Sequence, residues 1–258
     1  MNSKQQKLDA FGRLLDIMDD LREKCPWDKK QTLQSLRHLT LEEVYELSDA
    51  LLMEDLQEIK KELGDVLLHL VFYAKIGSEK KAFDIADVIN SLCDKLIFRH
   101  PHIYGDVSAK DEETVKQNWE KLKLKEGNQS ILSGVPKGLP SIVKAYRIQD
   151  KVKGIGFDFP NEKEAWQKVE EEMNELKAEL GNDKNQQEAE FGDVLFSLIN
   201  YARILGINPD TALERTNHKF ITRFQTMEQI AKERNLILGD LSLQEMDLLW
   251  EEAKKMNF

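Results

Sequence analysis

One acidic pattern is written twice in this chain, and it constrains the fold more than any other feature. Glu42, Glu43, Glu46, Glu62 and Asp65 form the first copy, and Glu171, Glu172, Glu175, Glu190 and Asp193 the second. Each copy reads EExxE, then 15 or 14 residues, then ExxD. Acidic residues three and four apart share one helical face, so two helices folded back as a hairpin bring both acidic patches of a copy together. Carboxylates so crowded call for a cation.

The repeat extends past the acids. LEEVYEL at Leu41–Leu47 aligns with EEEMNEL at Glu170–Leu176, and ELGDVLLHLVFYA at Glu62–Ala74 with EFGDVLFSLINYA at Glu190–Ala202. Lys95 and Arg99 correspond to Lys219 and Arg223, GDVS at Gly105 to GDLS at Gly239, and Trp119-Glu120 to Trp250-Glu251. The offset near 130 marks a duplicated domain of about 100 residues rather than a solenoid of short repeats. EGNQSILSGVPKGLP, residues 126–140, gathers Gly134, Pro136, Gly138 and Pro140 between long helical stretches and reads as a linker. The expected organisation is therefore an N-terminal domain over 1–125, a linker over 126–140 and a C-terminal domain over 141–258.

Within each copy the apolar spacing is helical, as in Leu63, Val66, Leu67, Leu70, Val71 and Ala74. Polar and glycine residues near Met53–Asp55 and Gly181–Asp183 predict the hairpin turns. With 33% charged residues, 13 Gly and 6 Pro in 258 residues, the expectation is an all-α protein. Two tandem helical domains form four-helix-bundle-like units, completed by association of halves or as a homodimer.

Charge and cysteine content exclude several classes. A net charge of −10 argues against tracking along a nucleic-acid polymer, which needs a basic stripe. Cys25 and Cys93 are too few for a disulfide framework and lack zinc spacing, and they predict reduced thiols in a cytoplasmic protein. The N-terminal segment is charged and amphipathic, and no stretch offers 18 consecutive apolar residues, so no membrane partner is expected. A di-iron bundle needs ExxH, which the sequence lacks; Asp65 and His69 are four apart.

Mg²⁺ takes about six oxygen ligands and often shares its shell between carboxylates and substrate phosphate. In the second copy Glu172, Glu175, Glu190 and Asp193 are the candidate ligands. Glu171, about 100° around the helix, is placed to position or deprotonate water, or to bind metal through water. The alternative is a solvated acidic face, with Gly64-Asp65 and Gly192-Asp193 as a turn and helix cap. Carboxylates beside apolar runs favour the metal, because burying them unpartnered is costly. Lys219 and Arg223, one turn apart, suit phosphate oxygens with Asn217 nearby, though i,i+4 cations also occur as plain surface. Trp250 is either a stacking platform for a base or a packing residue.

Together these residues resemble the MazG family of nucleoside triphosphate pyrophosphohydrolases, in the all-α NTP pyrophosphatase superfamily. The resemblance spans nearly the whole chain: CPWD at Cys25, both acidic pairs, DKLxxRHPH around Lys95, NxKFxxRF around Lys219, and Trp250. It implies Mg²⁺-dependent hydrolysis between the α and β phosphates of a nucleoside triphosphate, giving the monophosphate and pyrophosphate, with Mn²⁺ as a substitute ion. It implies Glu172, Glu175, Glu190 and Asp193 as metal ligands and Lys168, Glu171, Asn217, Lys219, Arg223 and Trp250 as nucleotide contacts. Glu171 and Glu172 are the implied catalytic pair, and the C-terminal half is the implied catalyst. The first half carries Cys93 where the second has Asn217, so Glu42, Glu43, Glu46, Glu62 and Asp65 are assigned a second, regulatory or structural, metal site. Rival readings are a dUTP- or phosphoribosyl-ATP-selective hydrolase and a non-catalytic helical scaffold.

Overall fold

The computed structural model describes residues 1–105, 115 and 130–256. Among these residues every regular element is helical. Packing divides the chain into two units, Met1–Ala109 and Lys110–Phe258, whose limit falls outside the described residues. Trp119-Glu120, Asp106–Ser108 of GDVS and residues 126–129 of the expected linker also lie outside them.

The first unit contains α1 (Lys4–Lys24), α2 (Leu33–Leu52), α3 (Leu56–Glu79), α4 (Ile85–Arg99) and the single turn α5 (Pro101–Tyr104). Its helix starts are written locally. Ser3 with Gln6, Thr32 with Ser35, and Asp84 with Asp87 form reciprocal capping boxes, while Asp55 accepts from the N–H groups of Gln57 and Glu58. Only Met53, Glu54 and Asp55 separate α2 from α3, and Glu54 adopts φ 55° to close the turn. So short a link forces the two helices antiparallel, in the expected place. Met18 of α1, Leu36 of α2 and Val71, Phe72 and Ile76 of α3 form the core. Thr40 Oγ1 ties the hairpin together, 2.9 Å from His69 Nδ1 and 2.6 Å from the Tyr73 hydroxyl.

The second unit contains α6 (Ser141–Lys153), α7 (Glu162–Glu179), α8 (Lys184–Ile204), α9 (Pro209–Glu233) and α10 (Leu243–Met256). Helices α7 and α8 repeat the hairpin, and α6 packs on α8 and α9. Gly181 makes the α7–α8 turn at φ 93°, a left-handed conformation that disfavours a side chain. Met227, Ile230, Ala231, Leu249 and Ala253 form a core between α9 and α10, with Trp250 half-buried beside it.

Two sequence expectations differ from what is found. Gly64-Asp65 and Gly192-Asp193 are not turns and caps; both lie well inside α3 and α8. The flanking apolar register holds the helix through glycine, at a cost of about 1 kcal/mol relative to alanine. The stripe Leu63, Val66, Leu67, Leu70, Val71 and Ala74 also splits in two. Val71 and Ala74 are buried, whereas Leu63 and Leu70 stay 53% and 54% exposed, because α1 and α2 cover only one side of α3.

Candidate functional site

Each hairpin gathers its acids as the spacing requires. In the first copy, oxygens of Glu43, Glu62 and Asp65 lie within 4.8 Å of one another; in the second, those of Glu172, Glu175 and Glu190 do so. One member of each set is buried, Glu62 in the first and Glu172 in the second. Glu42, Glu46 and Glu171 are on exposed faces. Asp193 is outside the second trio but lines a cavity together with Glu172.

The electrostatics follow from this crowding. Burial first, then Glu175, Asp193 and further carboxylates, push Glu190 above the ordinary glutamate range. Glu43 is raised for the same reasons, with Asp65 its strongest neighbour. Two cations already answer the acids. Lys168 Nζ is 2.7 Å from both Glu171 Oε1 and Glu172 Oε1, and these contacts hold its ammonium charged to higher pH than usual. Lys61 Nζ stands 2.8 Å from buried Glu62 Oε1 in the first copy.

The donor set suits a divalent ion. Its ligands are hard oxygens at coordination spacing, and Glu62 Oε2 and Glu190 Oε2 are buried without a hydrogen-bond partner. Such orphaned carboxylate oxygens are costly unless a cation or donor reaches them.

A cavity of about 470 Å³ opens beside Glu172 and Asp193 in the second unit. The segment after α6 forms part of its wall. Gly156 turns the chain at φ 87°, Phe157 and Phe159 line the space, and Asp158 between them forms an ion pair with Arg203. Arg203 is buried and also donates from Nη2 and Nε to Asn200 Oδ1, at 2.7 and 3.1 Å. Gln149, 4% exposed, donates from Nε2 to Phe196 O at 2.9 Å. Its Oε1 is buried and unpartnered, a state that costs about 1–3 kcal/mol.

The remaining expected contacts sit on the last two helices. Asn217 and Lys219 are exposed on α9 and Arg223 is half-buried there. Asn217 Nδ2 donates to Glu214 Oε2 at 3.1 Å. The Trp250 ring centroid lies 5.0 Å from that of Phe220, so the indole packs on the helix that carries Lys219 and Arg223.

Comparison with known proteins then assigns the architecture. The model of the MazG nucleotide pyrophosphohydrolase domain matches twice, over residues 31–104 and 161–227. The chain belongs to the MazG family. Full-length MazG relatives share the duplication's extent. The nucleoside triphosphate pyrophosphohydrolase/pyrophosphatase MazG of Thermotoga maritima is 41% identical over 95% of both chains. The nucleoside triphosphate pyrophosphohydrolase of Escherichia coli is 38% identical over 96% of this chain and 98% of its own. An uncharacterised Bacillus subtilis protein, YabN, is 44% identical over 98% of this chain and 53% of its own length. Each MazG match contains its complete acidic hairpin.

Sequence reasoning missed Gln149, Asp158, Asn200 and Arg203. Two signals pointed to them: Asp158 in GFDF stands where the first copy has Asp28 in CPWD, and Arg203 ends an otherwise apolar helical run. Among the described residues, no helix is long and apolar enough to cross a membrane.

Proposed function

We propose that this chain hydrolyses nucleoside triphosphates and deoxynucleoside triphosphates to monophosphate and pyrophosphate, using Mg²⁺ or Mn²⁺, with broad tolerance of the base. Its role is removal of unwanted nucleotides from the pool. The observation that carries this reading is the trio Glu172, Glu175 and Glu190, with oxygens within 4.8 Å, beside a cavity of nucleoside scale in a MazG unit.

In this reading the C-terminal half, residues 141–258, is the catalyst and 126–140 its linker to the N-terminal half, 1–125. Glu172, Glu175, Glu190 and Asp193 hold the ion. When bound, it supplies positive charge to the phosphate oxygens. Glu171, oriented by Lys168 at 2.7 Å, receives a proton from the attacking water. The water oxygen bonds to phosphorus as the α–β anhydride bond breaks, and pyrophosphate leaves. Lys219 and Arg223 neutralise its developing charge, with Asn217 and Trp250 completing the nucleotide contacts. Glu42, Glu43, Glu46, Glu62 and Asp65 form a second metal site with a regulatory or structural role.

A homodimer completes the bundles. Support comes from exposed Leu63 and Leu70 and their counterparts Phe191 and Leu198, and from Gly64 and Gly192, where an added Cβ meets nothing within 4 Å. The place of action is the cytoplasm, consistent with the free thiols Cys25 and Cys93.

The deciding experiment is a turnover panel of NTPs and dNTPs with Mg²⁺, scored by the phosphate product. Pyrophosphate with each base supports the reading, and orthophosphate as the primary product sinks it. Light scattering tests the dimer, which a monomeric mass overturns.

A further inference from the structure

The cavity beside the acids has two chemically different ends. Its mouth carries Lys168, Glu172 and Asp193, the phosphate and metal end of the proposed site. Its interior is walled by Phe157, Phe159 and Phe196, with Gln149 and Asn200 as polar points among them. A ligand matching both ends has a flat apolar body, a hydrogen-bonding edge and an attached polyanion. That is the description of a nucleotide, base inward.

Gln149 supplies the sharper observation. Its Nε2 donates to the Phe196 carbonyl, which can only accept, so the orientation of the carboxamide is fixed by chemistry. The carboxamide oxygen is therefore turned away from that bond, and it is buried without a partner in a residue that lines the cavity. Buried acceptors are nearly always satisfied, so an unsatisfied one marks a place where a donor arrives from outside. Adenine, cytosine, guanine and uracil all carry an N–H donor on the pairing edge. One acceptor thus binds every base without choosing strongly among them.

The duplication provides an internal control. In the alignment of Glu62–Ala74 with Glu190–Ala202, Asn200 corresponds to Phe72 and Phe196 to Leu68. Phe72 is 3% exposed within the core of the first unit, with Leu68 packed against that core. The Arg22 guanidinium carbon lies 5.3 Å from the Phe72 ring centroid. The first copy closes with an aromatic ring the position that the second copy lines with an amide.

We propose that the cavity between α6, the turn after it and α8 is the nucleobase pocket, with Gln149 Oε1 accepting a hydrogen bond from the base. The assignment rests on reading the neighbouring acids as the triphosphate end. It makes Gln149 and Asn200 specificity-determining residues and leaves Trp250 to the outer part of the nucleotide. The first copy keeps metal ligands but has no room for a base at this position.

Two variants of the full chain test it, Asn200→Phe, which introduces the first copy's ring, and Gln149→Leu, which removes the acceptor. Affinities for α,β-methylene-ATP and α,β-methylene-CTP are measured with Mg²⁺ by calorimetry, with inorganic tripolyphosphate as the base-free probe and far-UV circular dichroism as the fold control. Both variants are expected to bind the two nucleotides about tenfold or more weakly and tripolyphosphate within about twofold of wild type. Nucleotide affinities equal to wild type overturn the pocket, as does equal loss of nucleotides and tripolyphosphate in a folded variant. Base-dependent loss confined to Trp250→Ala overturns it as well, by placing the base there. If Asn200→Phe does not fold, Gln149→Leu decides alone. If wild type releases no pyrophosphate yet the variants show the base-dependent loss, the pocket stands and the hydrolase reading falls.

Discussion

Lys168 holds Glu172 by an ion pair of 2.7 Å, one turn along the same helix, and Glu172 is the buried member of its acidic trio. The ammonium therefore occupies part of the charge that a divalent ion would neutralise. Lys168→Met is expected to act in two opposite directions. Removing a competing cation tightens Mg²⁺ binding several-fold, while loss of the group orienting Glu171 lowers kcat by about 10²-fold. Mg²⁺ titration calorimetry beside steady-state turnover checks both, and weaker Mg²⁺ binding in the variant contradicts the competition.

The raised Glu190 and Glu43 carboxyls link stability to pH. A folded state that holds a proton more tightly than the unfolded chain draws full benefit from it below the ordinary value of 4.5 and loses that benefit as pH rises through the raised values. Metal-free protein is thus expected to lose stability from these groups between about pH 4.5 and neutrality. A divalent ion reverses the penalty only where the carboxylates are ionised. Mg²⁺ at about a hundred times its Kd stabilises by about 2.7 kcal/mol, and this increment is expected to be larger near pH 8 than near pH 5. Thermal melts in EDTA and in Mg²⁺ across that range provide the measurement. A pH-independent increment, or one unchanged by Glu190→Gln, refutes the linkage.

The buried Arg203–Asp158 pair fixes the segment that carries Phe157 and Phe159. Arg203→Met strands Asp158 and is expected to cost about 3–5 kcal/mol, with a lower Tm and slower turnover. Arg203→Lys keeps the charge but loses the planar fork that reaches both Asp158 and Asn200, so its Tm falls between the two. A lysine variant as unstable as the methionine variant removes the argument for the fork.

Glu62→Gln separates the two acidic sites. It alters the buried acid of the first hairpin and leaves Glu172, Glu175 and Glu190 in place. Turnover is expected to stay within about twofold of wild type, while Glu172→Gln abolishes it. Equal losses from both substitutions contradict assignment of catalysis to the second half.

The sequence already contained the hairpins because their determinants are local. Apolar spacing, the short Met53–Asp55 turn and the caps at Thr32 and Asp55 each lie within a few residues of what they specify. The acidic trios were legible for the same reason, since helical spacing and one tight turn bring Glu43 to Glu62 and Glu172 to Glu190. Gly64 and Gly192 were ambiguous, because glycine in isolation signals a turn and only the register around it keeps the helix continuous. Gln149 and Asp158 were not legible at all. Their significance depends on Phe196 and Arg203 on α8, more than forty residues away, and periodicity does not record such contacts.

Phe72 gives the duplicated halves different tolerances to heat. The first half fills its own interior with that ring, whereas the second leaves about 470 Å³ to be occupied from solution. Nucleotide then serves as a missing piece of packing as well as a reactant. Stored without it, a preparation loses turnover while much of its helix content persists.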